Sequence, residues 1–173
     1  MFSHVMVGSN DIERSKRFYD AVLGLLGAGA PLRDVARTGH TRLFYRHDGG
    51  TFCVSEPING EPASFANGGT IGFKCASPEQ VQAFHDTAVA HGGTSIEEPP
   101  GLRKGSLGAM HLAYVRDPDG TGQGGAVPAR RRTPHPRRVS ERALRIGARP
   151  KRRARVFIHP CASERGLHCG RPR

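Results

Sequence analysis

The 173-residue sequence has no Trp, three Tyr and eight Phe, so its aromatic share is only 6%. With so few rings, a core must rest on Val, Leu, Ile, Met and Phe, and residues 1–120 hold enough of these to build one. No apolar run approaches the ~20 residues needed to cross a bilayer as a helix, so no membrane partner is expected. The opening Met1-Phe2-Ser3-His4-Val5 has neither a basic n-region nor an apolar h-region, and no secretory leader is expected. The four Cys, at 53, 75, 161 and 169, include no CxxC pair and no compact framework. They read as reduced thiols in a cytoplasmic protein. Also missing are a GxSxG elbow, a phosphate-cradling Gly loop and paired carboxylates at a recognisable spacing.

Acidic residues are scarce in one region only. Lys plus Arg total 26 against 15 Asp plus Glu, a net charge of +11. Residues 1–120 carry 11 basic and 13 acidic side chains, whereas 121–173 carry 15 and 2. The basic character therefore belongs to the tail and says nothing about the rest of the chain.

Local signals in residues 1–120 are regular. Phe2–Gly8 reads as a strand ended by Gly8-Ser9-Asn10. Asn10-Asp11-Ile12-Glu13 is a helix start, with Asn10 as the N-cap and Glu13 three residues on. Ile12, Ser15, Phe18, Tyr19, Val22 and Leu23 follow at helical spacing, with Gly24 as a C-terminal cap. Arg42–Arg46 and Thr51–Ser55 read as strands joined by His47-Asp48-Gly49-Gly50, a hairpin turn. The order then repeats. Gly69–Cys75 reads as a strand, Ser77-Pro78-Glu79-Gln80 as a capping box, and Val81, Phe84, Ala88 and Val89 as the buried face of a second helix ended by Gly92-Gly93. Glu97-Glu98-Pro99-Pro100 reads as an exposed loop. Met110–Arg116 reads as a strand closed by the turn Asp117-Pro118-Asp119-Gly120. An offset of 66 residues lays Phe18 on Phe84, Val22 on Ala88, Gly27 on Gly93 and His4 on Thr70, and an offset of 70 lays Gly50 on Gly120. This is the signature of an internal duplication.

Two stretches carry a family resemblance: His4-Val5-Met6-Val7…Asp11-Ile12-Glu13-Arg14-Ser15…Phe18-Tyr19…Val22-Leu23-Gly24, and Tyr114-Val115-Arg116-Asp117-Pro118-Asp119-Gly120. Over residues 2–120 the chain resembles the vicinal oxygen chelate superfamily, the glyoxalase, bleomycin-resistance and extradiol-dioxygenase group. The resemblance implies an α+β fold of paired βαβββ modules, residues 1–62 and 66–120, whose curled sheets form a cleft for a small molecule. It also implies a homodimer and, in many members, one divalent ion (Zn, Ni, Mn or Fe) serving lyase or dioxygenase chemistry. Metal-using members take ligands from the first and last strand of each module, because a divalent ion with open positions can hold two adjacent substrate oxygens.

Carried over residue by residue, His4 matches the first-strand ligand. Thr70 matches the equivalent position of module two and reads as a pocket-lining residue. The ligand of module one's last strand falls near Val54, and Glu56 serves only if the register slips by two. The fourth position is Gly124, in Thr121-Gly122-Gln123-Gly124-Gly125, a segment with little strand propensity. Module two is therefore expected to lack its last strand. His111 shares a strand face with Ala113 and Val115 and is a candidate to line the cleft. With one good donor in four positions, a complete glyoxalase-type metal site is not expected, and both metal-bound and metal-free readings stay open. Cys53 and Cys75 read as buried thiols.

Residues 121–173 hold 14 Arg, one Lys, six Pro and six Gly. Such a segment buries too little to offset its ordering entropy and is expected to be a disordered basic tail. Three readings of it stand side by side. It has the charge of a nucleic-acid arm, but Phe157 is its single aromatic and offers no stacking series. His159, Cys161, His168 and Cys169 could be drawn as a zinc site, though their spacing fits no usual finger. The abrupt change after Gly120 also reads as an out-of-frame segment of a GC-rich gene, which would leave an inactive relative of the enzymes.

Overall fold

The computed structural model describes residues 2–106 and 108–129. Module one runs β1 (Val5–Gly8), α1 (Ile12–Leu25), β2 (Leu32–Val35), β3 (Thr41–His47) and β4 (Gly50–Ser55). Module two repeats the order with β5 (Thr70–Lys74), α2 (Pro78–Ala90), β6 (Thr94–Gly105), β7 (Gly108–Arg116) and β8 (Gly122–Pro128). Each module forms a four-stranded sheet, ordered β1-β4-β3-β2 and β5-β8-β7-β6. The α+β architecture of paired βαβββ modules is thus as expected. Among the described residues no helix is long and apolar enough to cross a membrane.

Local chemistry sets the boundaries. Asp11, not Asn10, caps α1: its carboxylate accepts from the Glu13 and Arg14 amides. Asn10 is drawn instead into contacts with module two. The α1 helix runs one residue past Gly24, and the left-handed residue beyond it is Gly27, at φ 96°. Ser77 caps α2 by accepting from the Gln80 amide, with Pro78 at the first helical position. Asp48 and Gly49 have φ of 47° and 76°, the paired left-handed geometry of a tight hairpin turn.

Three strands depart from the sequence reading. β2 and β6 are edge strands with little apolar patterning, and Glu97-Glu98-Pro99-Pro100 lies inside β6 at a register shift between Ile96 and Gly101. Glu97 takes φ 63° there, which bends the edge. The larger correction concerns module two, which does have its last strand. β8 lies between β5, parallel, and β7, antiparallel, so its backbone groups have partners on both sides. Pairing overrides the low intrinsic propensity of glycine here, and crowding requires it. A Cβ on Gly122 would lie 2.7 Å from the Gly69 carbonyl, and one on Gly125 would lie 3.0 Å from the Phe84 ring. The loss of pattern expected at Gly120 therefore falls inside an intact sheet. From Arg130 onward the basic tail, with its nucleic-acid, zinc and out-of-frame readings, lies outside the described residues.

One core serves both modules. Phe18, Tyr19, Val22, Leu43, Tyr45 and Val54 of module one cluster with Phe84, Ala88 and Val115 of module two. Burying these side chains stabilises the modules jointly, at ~1.5–3 kcal/mol for each large apolar group.

Candidate functional site

Strand alternation gives each sheet a helix face and an open face. In sheet one, Val7, Leu43, Tyr45, Phe52 and Val54 join the helix-side core. The register then puts Met6, Cys53 and Phe44 together on the open face, with Gly8, Ser55 and Arg42 beside them. A cavity of about 500 Å³ opens there, bounded by Met6, His40, Arg42, Glu56, Asn59 and Ala63. The linker between modules forms one wall. The Asn10 side chain donates to the Ala63 carbonyl at 3.1 Å and accepts from the Ala63 amide at 2.7 Å. Gly8 allows this approach, because a Cβ there would lie 2.8 Å from the Ala63 Cβ. Arg42 is held by Asp34 across the β2–β3 pair at 2.5 Å.

In sheet two the open face carries Met110, Leu112, Tyr114 and Arg116 from β7, facing Gly122, Gly124 and Ala126 of β8. A second cavity of about 350 Å³ is bounded by Arg103, Met110, Leu112, Tyr114 and Ala126. The Arg103 guanidinium lies 5.5 Å from the Tyr114 ring centroid and also donates to the Glu98 carbonyl at 2.7 Å. Sequence reasoning missed Arg42, Arg103 and Tyr114. The alternation of β3 and β7 was the signal that could have found Arg42 and Tyr114, whereas Arg103 lies on β6, whose sequence has no such pattern.

The residues singled out from sequence do not converge. His4 is exposed, immediately before β1, with Nδ1 3.0 Å from the Ser3 hydroxyl. Since Val5 pairs with Phe52 in parallel register, His4 falls level with Thr51. Glu56 lies five positions beyond Thr51, just past the end of β4, roughly 16 Å away at the spacing of a strand. Its Oε2 accepts from the Thr41 amide at 2.6 Å, so it fastens the start of β3. Thr70 is exposed at the start of β5, on the open face level with Gly122. His111 does share a face with Ala113 and Val115, but both are fully buried, so this is the helix face. It lies beside Pro78, Glu79 and Gln82 at the start of α2, away from the open-face cavity.

The open-face positions on the first and last strand of each module are a direct test of a metal centre. β1 offers His4, β4 offers Thr51, Cys53 and Ser55, β5 offers Thr70 and Gly72, and β8 offers Gly122 and Gly124. Burial pushes the Cys53 thiol up, which favours the protonated, non-ligating form. At Gly124 a Cβ would lie 3.0 Å from the Tyr114 ring, so that ring holds the space a donor side chain would need. Among the described residues no group of three or more His, Cys, Asp or Glu is placed to hold a metal. The donor set does not fit a divalent ion.

The Asp-Pro-Asp-Gly turn has a different task. Asp119 accepts from the Asn10 amide and side chain, from Arg14 at 2.8 Å and from the Ser15 hydroxyl at 3.0 Å. Asp117 accepts from Tyr19 at 2.5 Å and from the Asp119 and Thr121 amides. Burial pushes the Asp117 carboxyl up although these donors pull it down, and it pushes the Tyr19 hydroxyl well up. Gln123 donates to Tyr19 at 3.1 Å. These contacts join the start of α1 to the β7–β8 turn of module two, so the motif is a clasp between modules.

Comparison with known proteins agrees with this architecture. A sequence model of the Glyoxalase/Bleomycin resistance protein/Dioxygenase superfamily matches residues 1–122. A probable lactoylglutathione lyase of Vibrio cholerae serotype O1 is 30% identical over 121 residues, covering 68% of this chain and 83% of the relative. The crystal structure of a glyoxalase/bleomycin resistance protein from Albidiferax ferrireducens superimposes with a TM-score of 0.67 at 53% identity, covering 73% of this chain and 98% of that one. A fosfomycin resistance protein, FosX, from Listeria monocytogenes, solved with Mn(II) and sulfate, shares the fold at TM-score 0.54 and 15% identity, covering 75% and 93%.

Proposed function

The chain belongs to the Glyoxalase/Bleomycin resistance protein/Dioxygenase superfamily, and from that premise we propose that it binds a small molecule on the open faces of its sheets without recruiting a divalent ion. The observation that carries this reading is the donor set: of the open-face positions on the first and last strand of each module, His4 alone is an accessible metal-ligand type. What remains suits capture of a small molecule, with apolar Met6, Phe44 and Leu112 beside the cations Arg42 and Arg103. We place the protein in the cytoplasm, where Cys53 and Cys75 stay free thiols, and expect a homodimer to cover the open faces. The Arg-rich tail contributes charge alone, so nucleic acid is the weaker partner.

The test is metal content and thermal shift of the full chain with Ni²⁺, Zn²⁺, Mn²⁺ and Fe²⁺, beside His4→Ala. The expected result is substoichiometric metal and no ion-dependent shift in either protein. Stoichiometric metal in the parent that is lost in His4→Ala would replace this reading with a second, a metal-dependent lyase or dioxygenase. The 30% identity with a probable lactoylglutathione lyase, together with His4 itself, favours that alternative.

A further inference from the structure

The duplicated fold has two pseudo-equivalent seams where the modules meet, and only one carries a carboxylate clasp. On the clasped side, the turn of module two puts the Asp119 carboxylate among Asn10, Arg14 and Ser15 of module one. The offsets of 70 for turns and 66 for helices identify the matching groups on the other side. Gly49 stands for Asp119, Ala76 for Asn10, Gln80 for Arg14 and Val81 for Ser15. None of these can rebuild the clasp. Gln80 instead donates to the Leu25 carbonyl at 2.8 Å.

On this unclasped side a crevice of about 240 Å³ stays open, walled by Val5, Leu23, Leu26, Phe52, Ile71 and Phe73. It lies on the helix side of the sheets, apart from the open-face cavities. Its floor is aromatic: Phe52 and Phe73 meet edge to face at 5.4 Å. The Tyr45 ring is also on the wall, with its hydroxyl turned away to Asp20 at 2.9 Å. Of the polar side chains on the wall, His47 is exposed at the mouth, its ring packed against Gly27. Dry apolar cavities of ~150 Å³ bind benzene, so this volume admits a larger ring system.

The geometry points to a second ligand site in this crevice, for a neutral one- or two-ring aromatic molecule with a single hydrogen-bonding group that meets His47. The site is independent of any ligand on the open faces. Ring edges suit the Phe52–Phe73 floor, a charged group would find no counterion on the wall, and one polar atom can reach the imidazole.

Indole is the probe of choice, because the chain has no Trp and bound indole can be excited without Trp background. Saturable binding to the full chain is expected, with amide shifts centred on Leu26, Phe52, Ile71 and Phe73. Ala28→Phe, which fills the crevice, should abolish it. His47→Ala should weaken indole about fivefold while leaving indene, which lacks the N–H, unchanged. No saturable binding, or shifts centred on Met6, Arg42 and Tyr114, would overturn the site. Equal loss of indole and indene in His47→Ala would overturn the role of the imidazole. The shift map needs no variant, so it decides the matter even if Ala28→Phe fails to fold.

Discussion

The Tyr19 hydroxyl donates to Asp117 Oδ2 at 2.5 Å across the boundary between modules, with Tyr19 0% and Asp117 5% exposed. The two residues are 98 positions apart in the chain. Their bond ties the buried face of the first helix to the turn that ends β7.

Tyr19→Phe keeps the ring and deletes only that bond. It leaves Asp117 short of a donor and Gln123 Nε2 without an acceptor in a region closed to water. A loss of about 1–3 kcal/mol is expected in urea unfolding, more than a typical surface hydrogen bond contributes. A loss below the error of the measurement would show that the clasp is dispensable.

Acid should act on the same group in a defined direction. Burial raises the Asp117 carboxyl, so the folded state holds its proton more tightly than the unfolded chain. Its contribution to stability is full below the ordinary carboxylate value of about 3.9 and declines as pH rises through the raised value. Asp117→Asn removes that decline. The stability gap between parent and variant should therefore narrow as pH rises above about 4. A gap that widens over this range would contradict the assignment.

Two glycines separate crowding from propensity. A Cβ on Gly122 would meet the Gly69 carbonyl of the adjoining backbone at 2.7 Å, whereas one on Gly72, in the paired strand β5, meets nothing within 4 Å. Gly122→Ala should cost about 1–3 kcal/mol by forcing β5 and β8 apart. Gly72→Ala should be neutral or stabilising by up to about 1 kcal/mol, through the unfolded chain. Thermal melts of both variants decide this.

Truncation probes the closing strand. A chain ending at Ala129 retains β8 and should keep the cooperative unfolding of the full chain. A chain ending at Gly120 loses a central strand, exposes the edges of β5 and β7 and deletes Gln123. It should aggregate or lack cooperative unfolding, as size-exclusion chromatography and circular dichroism would show.

What could be read from sequence was what is local. The Ser77 cap, the Asp48-Gly49 turn and the spacing of Phe18, Val22, Phe84 and Ala88 are short-range signals, and the structure follows them. β8 was hidden because its Gly-Gln-Gly-Gly run has no strand preference of its own; its conformation comes from neighbours on both sides. The face of His111 followed correctly from alternation with Ala113 and Val115. Which face meets the helix depends on α2, and β7 alone does not carry that information. Likewise, the separation of His4 from Glu56 is a matter of β1–β4 register, set by pairing between segments far apart in the chain. The role of Asp119 was concealed by its setting, since a turn residue there looks complete without partners 104–109 positions away.

The clasp also limits how the two halves can be recombined. Each began as a copy of the same unit, but module one now relies on a carboxylate that only module two supplies, while Gly49 gives nothing in return. A chimera that pairs two copies of module one would expose Asn10, Arg14 and the Tyr19 hydroxyl at an empty seam. One that pairs two copies of module two would present Asp119 to Gln80 and Val81. Neither pairing reproduces the Asn10, Arg14 and Ser15 contacts of Asp119. Divergence of one turn and one helix start has made the repeat irreversible: parts that were once interchangeable can now be inherited only as a pair, in this order.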